Sequence, residues 1–152
     1  KKITLLTGTQ LHNSLLQHVK KTSLNPRAFI ILAINFLAGT ICKPNYEMSQ
    51  NYLEKALQFG LYSNKNSNGL KKFHDIPFLD RLGIYTITLI SYSRKPQPQK
   101  TKKILLNTLQ KIYTAVKNAG LESLFCAAVL QETKVDLTKE SEWNTLSLLN
   151  KK

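Results

Sequence analysis

Two apolar, helix-length runs, each ended by a glycine, dominate residues 28–60: AFIILAINFLAG closes at Gly39 and YEMSQNYLEKALQFG closes at Gly60. Both are too long for ordinary strands, and their apolar residues recur near the 3.6-residue period of a helix. Asn25 followed by Pro26 is a helix start, with Asn as N-cap and Pro at a position whose N–H has no helical partner. Asn45 caps the second run in the same way, and Glu47 sits favourably at the positive end of its dipole. Helices joined by only TICKP and its neighbours must fold back on one another, so residues 26–60 are expected to form an antiparallel hairpin. Gly39 and Gly60 are then read as left-handed C-caps, the conformation that a residue without Cβ adopts at least cost.

The rest of the chain repeats this logic. Leu11, Leu15, Leu16 and Val19 mark one face of a helix ending near Lys20 and Lys21. Residues 61–75 are polar and Asn- and Ser-rich, which reads as an exposed loop with Asp75 as the next N-cap. Ile76 to Tyr92 offers Leu79, Leu82, Thr86, Leu89 and Ile90 at helical spacing, interrupted by Gly83. RKPQPQKTKK breaks that helix, and a long one from Thr101 to Ala119 carries Leu105, Leu109, Ile112, Tyr113 and Val116 inward before Gly120, a third glycine cap. Shorter helices follow at 122–131 and 138–149, where Trp143, Leu146 and Leu149 are placed to dock on the preceding unit. The expected fold is all-α: antiparallel hairpins at 26–60 and 76–120 stacked as a short α-solenoid, with a capping element at 122–149. All 152 residues form one domain in this reading, and the start at Lys1 suggests a fragment of a longer chain.

Composition narrows the function more than the fold. The longest apolar run is 12 residues and contains Asn35, short of the roughly 20 that a spanning helix needs, so no transmembrane segment is expected. Cys42 and Cys126 have no metal-site spacing and are too few for a disulfide scaffold, which suggests a reducing intracellular compartment. Twenty-two Lys and Arg against nine Asp and Glu leave a net charge of +13. No acid precedes Glu47 and none lies between Arg81 and Gly120, whereas five acids face two lysines from 122 to 142. A basic body of this kind suits a polyanion such as RNA, and a Lys-rich solvated face accounts for it equally well.

Leu32-Ala33, Phe36 and Gly39, followed by Asn45-Tyr46, Tyr52, Lys55-Ala56 and Gly60, resemble the Sel-like repeat, a tetratricopeptide relative. The spacing from Leu32 to Gly60 matches that pattern without a gap, over one unit covering about a fifth of the chain. Ala33, Ile41, Ser49 and Leu57 depart from it. Tyr85, Thr88-Leu89-Ile90 and Gly120-Leu121 are similar to the ends of a pentatricopeptide unit, a family that reads single-stranded RNA through polar side chains. The corresponding positions here hold Ile30 and Ile87, which cannot hydrogen-bond a base. These resemblances imply hairpin architecture, with protein binding on the Sel-like side and RNA binding on the other.

Candidate sites are few. No P-loop, dinucleotide fingerprint or zinc motif is present, and His12, His18 and His74 read as surface residues. Cys126, in LFCAAVL, reads as a core residue, and Cys42 as the more reactive thiol. Tyr62, Tyr85, Tyr92 and Tyr113 lie near basic residues; Tyr113 is assigned to the core, and Tyr92 is the best candidate for stacking on a base. The strongest interaction signal is the basic segment with Arg94, Lys95, Lys100, Lys102 and Lys103, read as RNA- or anion-binding together with Tyr92. Two functions follow. One is a helical-repeat factor contacting RNA or a ribonucleoprotein, for instance in mitochondrial gene expression and hence in the matrix. The other is a Sel-like or tetratricopeptide-type adaptor for another protein, such as an assembly factor or a bacterial effector. No enzyme activity, cofactor, metal or small-molecule substrate is expected.

Overall fold

A computed structural model describes residues 8–21, 25–61 and 76–148. These form seven helices: α1 (Gly8–Lys21), α2 (Pro26–Ala38), α3 (Tyr46–Gly60), α4 (Ile76–Ser93), α5 (Gln99–Asn118), α6 (Glu122–Thr133) and α7 (Glu140–Leu148). The described residues contain no strand, and the chain is all-α. The expected loop at 62–75 with Tyr62, His74 and the Asp75 cap, and the docking of Leu149, lie outside the described residues.

The first hairpin forms as its caps require. The Asn25 side chain accepts a hydrogen bond from the Ala28 N–H at 3.1 Å, and Asn45 accepts from Met48 N–H at 3.0 Å. Gly39, at φ 69°, turns the chain after α2, and its N–H closes on the Asn35 carbonyl. The helices run antiparallel: Asn45 N–H meets the Phe36 carbonyl, Ser49 Oγ donates to the Ala33 carbonyl at 2.7 Å, and Tyr52 stacks on Phe36 and Phe29.

Gly60 does not act as expected. It belongs to the last turn of α3, Leu61 follows as the cap at φ −101°, and the glycines at positive φ are Gly39 and Gly120. A Cβ on Gly60 would lie 2.4 Å from the Phe78 ring, so the residue is small because α4 presses an aromatic side chain onto it. At Gly120, φ 78° and the Leu121 N–H bonded to the Val116 carbonyl make the Schellman ending that a glycine permits.

α4 is the centre of the molecule. Phe78, Leu82, Tyr85, Leu89 and Ile90 are buried against α2 and α5, while α3 packs on α5. On α5 the buried stripe Leu105, Leu109, Ile112 and Val116 advances by alternating four and three residues, the spacing of a core-facing helix. α6 contributes Phe125, Cys126 and Val129 to the same core, and packs on both α4 and α5. α7 reaches α4: Leu146 is buried, and Trp143 meets Tyr113 edge-on while its indole N–H donates to the Leu137 carbonyl at 2.9 Å.

α1 lies on α2 with a different inward face from the one its leucines suggest. Leu11 is exposed, and His12, expected at the surface, is buried. Asn35 donates its amide hydrogen to His12 Nδ1 at 2.9 Å, and the Phe36 ring packs edge-on against the imidazole. The buried polar pair is tolerated because each member satisfies the other.

Candidate functional site

Of the five cations in the basic segment, the structure buries Lys102 and leaves the other four exposed. Arg94 Nη2 donates to the Thr133 carbonyl at the end of α6, where a cation also complements the helix dipole. Lys95 Nζ sits 5.2 Å from the Tyr92 ring centroid, a cation–π contact that occupies the ring proposed for base stacking. Lys102 is not a surface residue: it is 2% exposed, it lies three residues before Leu105 on the core stripe, and its Nζ has no hydrogen-bond partner among the described residues. Burial lowers its pKa. Lys100 and Lys103 remain exposed on α5. Burial thus removes Lys102 from any phosphate-facing surface, while Arg94, Lys95, Lys100 and Lys103 are exposed.

The other singled-out residues are placed as follows. Ile30 is fully buried in α2. Tyr85 is buried, with its hydroxyl 2.7 Å from Ser49 Oγ. Tyr113 is half-buried, and its hydroxyl donates to Glu122; this bond to a carboxylate and burial push its pKa up to about 12. His18 Nε2 lies 2.9 Å from the Asn25 amide, which joins α1 to the cap of α2. Cys126 is buried, and burial followed by the Glu122 and Asp136 charges raises its pKa to about 11. Cys42 donates weakly to the Asn35 carbonyl at 3.6 Å, and burial raises its pKa as well, so neither thiol is activated. Among the described residues, no cluster of three or more His, Cys, Asp or Glu could hold a metal, and no helix is long and apolar enough to cross a membrane.

A concave feature lies elsewhere, between α4 and α6. It is a groove of about 530 Å³. One wall is a stripe of α4 with Ile76, Asp80, Gly83 and Ile87; the other is a stripe of α6 with Leu121, Phe125, Ala128 and Glu132. On both helices the residues recur at i, i+4, i+7 and i+11, so each wall is one continuous helical face. The groove exposes large apolar side chains: Leu124 at 71%, Ile76 at 69% and Ile84 at 48%. Among the described residues, Asp80 and Glu132 are the only charged ones that line it.

Gly83 has a specific place in this surface. A Cβ added there would meet nothing within 4 Å, so no contact inside the chain calls for glycine. In a helix interior, glycine costs about 1 kcal/mol relative to alanine. Its absent side chain leaves open the middle of the α4 wall.

The sequence carried one sign of the groove. α4 is apolar on more than one face: besides the buried Phe78, Leu82, Tyr85 and Leu89, it has Ile76, Ile84 and Ile87 off the core face. A surface helix needs a single apolar stripe, and the surplus marks a second one facing outward. Compared with known proteins, the chain matches no family model and has no significant match among curated proteins or solved structures.

Proposed function

We propose that this chain is a non-catalytic protein-binding module that holds a partner in the groove between α4 and α6. The observation that carries the reading is the contiguous, exposed apolar surface of that groove. Such surfaces on folded proteins mark interaction sites, because leaving several large aliphatic side chains in water forfeits about 25 cal/mol per Å² of apolar area.

The scaffold suits the role. α2 contacts α4, α3 contacts α5, α6 packs on α4 and α5, and α7 reaches α4, contacts that support reading the two hairpins as a short α-solenoid. The Sel-like resemblance of residues 27–60 implies the same use of stacked hairpins to hold proteins. The RNA reading keeps the exposed Arg94, Lys95, Lys100 and Lys103 and loses the buried Lys102.

An amphipathic peptide with a leucine stripe and otherwise glutamine, and a single-stranded oligouridylate, tested by fluorescence anisotropy at low and high salt, separate the readings. A groove binder retains the peptide at high salt and loses it in the Gly83→Leu variant. Binding of the oligouridylate alone, falling steeply with salt, supports RNA as the partner instead.

A further inference from the structure

We propose that the occupant of the α4–α6 groove is a single amphipathic helix of about three turns bearing basic residues beside its apolar stripe. The inference rests on the protein-binding reading above and adds the shape and charge of the partner.

Shape comes from the walls. From Ile76 to Ile87, and again from Leu121 to Glu132, each stripe advances by i+11, about 16 Å along its helix axis. That length matches three turns of a third helix lying along the groove, with anchors at i, i+3 or i+4, and i+7. Gly83 and Ala128 are small members of the two stripes, and the space above Gly83 receives a large apolar anchor of the incoming helix. An extended strand would need an exposed sheet edge to pair with, and the described residues contain no strand.

Charge comes from the lining. The chain has 22 Lys and Arg and only nine acids, yet among the described residues the groove takes two of those acids, Asp80 and Glu132, and none of the bases. Asp80 lies on the second level of the α4 stripe and Glu132 at the end of the α6 stripe. Neither side chain is engaged in an ion pair or hydrogen bond among the described residues. On a molecule of +13 the overall field attracts acidic segments and opposes basic ones at long range, so the preference for basic residues arises at contact with the two carboxylates, where salt has screened the distant charges. Lysines or arginines on the partner's flanks meet the two carboxylates, and such exposed pairs set specificity and encounter rate more than affinity.

The test uses three labelled peptides that share one leucine stripe and carry lysine, glutamine or glutamate on the flanks, with anisotropy as the readout. The proteins are the wild type, Gly83→Leu and the double variant Asp80→Asn/Glu132→Gln, each checked for helix content by circular dichroism. The Lys peptide is expected to bind the wild type about tenfold more tightly than the Glu peptide at physiological salt, where the overall positive field is screened and the two contact pairs remain. The double variant removes that preference, and Gly83→Leu weakens every peptide. Equal binding of the Lys and Glu peptides, still blocked by Gly83→Leu, overturns the basic helix while leaving the groove as a docking site. Absence of peptide binding, or binding indifferent to Gly83→Leu, overturns both. Self-association of the wild type that Gly83→Leu abolishes assigns the groove to a second copy of the chain and also overturns the proposal.

Discussion

Ser49 Oγ and Tyr85 Oη lie 2.7 Å apart in the core, and Ser49 also donates to the Ala33 carbonyl at 2.7 Å. A serine hydroxyl has one hydrogen, so with Ser49 committed to Ala33 it is Tyr85 that donates to Ser49. This chain of bonds ties α4 to both helices of the first hairpin, and burial holds the Tyr85 phenol well above its ordinary pKa. Tyr85→Phe is expected to cost about 1 kcal/mol, the net value of one hydrogen bond. Ser49→Ala costs more, about 1–3 kcal/mol, because it strands a buried hydroxyl. In a denaturation double-mutant cycle, Ser49→Ala is therefore milder in the Tyr85→Phe background, and additive losses would contradict the linkage.

Gly60 packs against Phe78 within one core contact, so its replacement is a matter of space. Gly60→Ala is expected to destabilise by about 1–3 kcal/mol through overpacking. Trimming the ring should reverse the sign: in a Phe78→Leu background, alanine at 60 fills the space that the distal ring atoms leave and gains helix propensity. A loss independent of residue 78 would restore the capping role that the sequence suggested.

His12 supplies a pH dependence. Burial lowers its pKa below the ordinary 6.5, so the folded protein favours the neutral ring that accepts from Asn35. A depressed folded pKa means that the contribution is fully present above the unfolded value and is lost as pH falls through the folded one. The stability of the wild type should fall below pH 6.5 more steeply than that of His12→Gln, measured as the difference between their urea midpoints. Parallel curves would remove His12 from the account.

Lys102 is buried with no hydrogen-bond partner among the described residues, and Lys102→Met keeps its stem while removing the amine. The expected result is a gain on the order of 1 kcal/mol in stability, since a buried polar group without a partner opposes folding. A loss of stability would show that the ammonium has an acceptor.

The first hairpin was legible because its signals are local: Asn25-Pro26, Asn45 and Gly39 act through neighbouring backbone. The 3.6-residue period likewise located α4 and α5. Other positions depended on distant partners. The leucines of α1 pointed Leu11 inward, but the acceptor role of His12 exists only once Asn35 of α2 lies against it. Gly60 was correctly singled out for the wrong reason, because a glycine required by a ring 18 positions later looks like a cap in sequence. Lys102 was legible and overlooked: grouped with its charged neighbours it reads as a solvated segment, while its place three before Leu105 puts it on the core stripe. Half of the groove was visible in the apolar surplus of α4, but its other wall, α6, is brought there by packing alone.

The most direct test of the central claim is a methyl NMR titration of isoleucine-labelled protein with the Lys-flanked amphipathic peptide. Ile76, Ile84 and Ile87 belong to the groove, whereas Ile104 neighbours Lys100 and Lys103 on α5. The account predicts saturable shifts at Ile76, Ile84 and Ile87, with Ile104 unmoved. Shifts confined to Ile104, or no shift at the three groove methyls at saturating peptide, would contradict it.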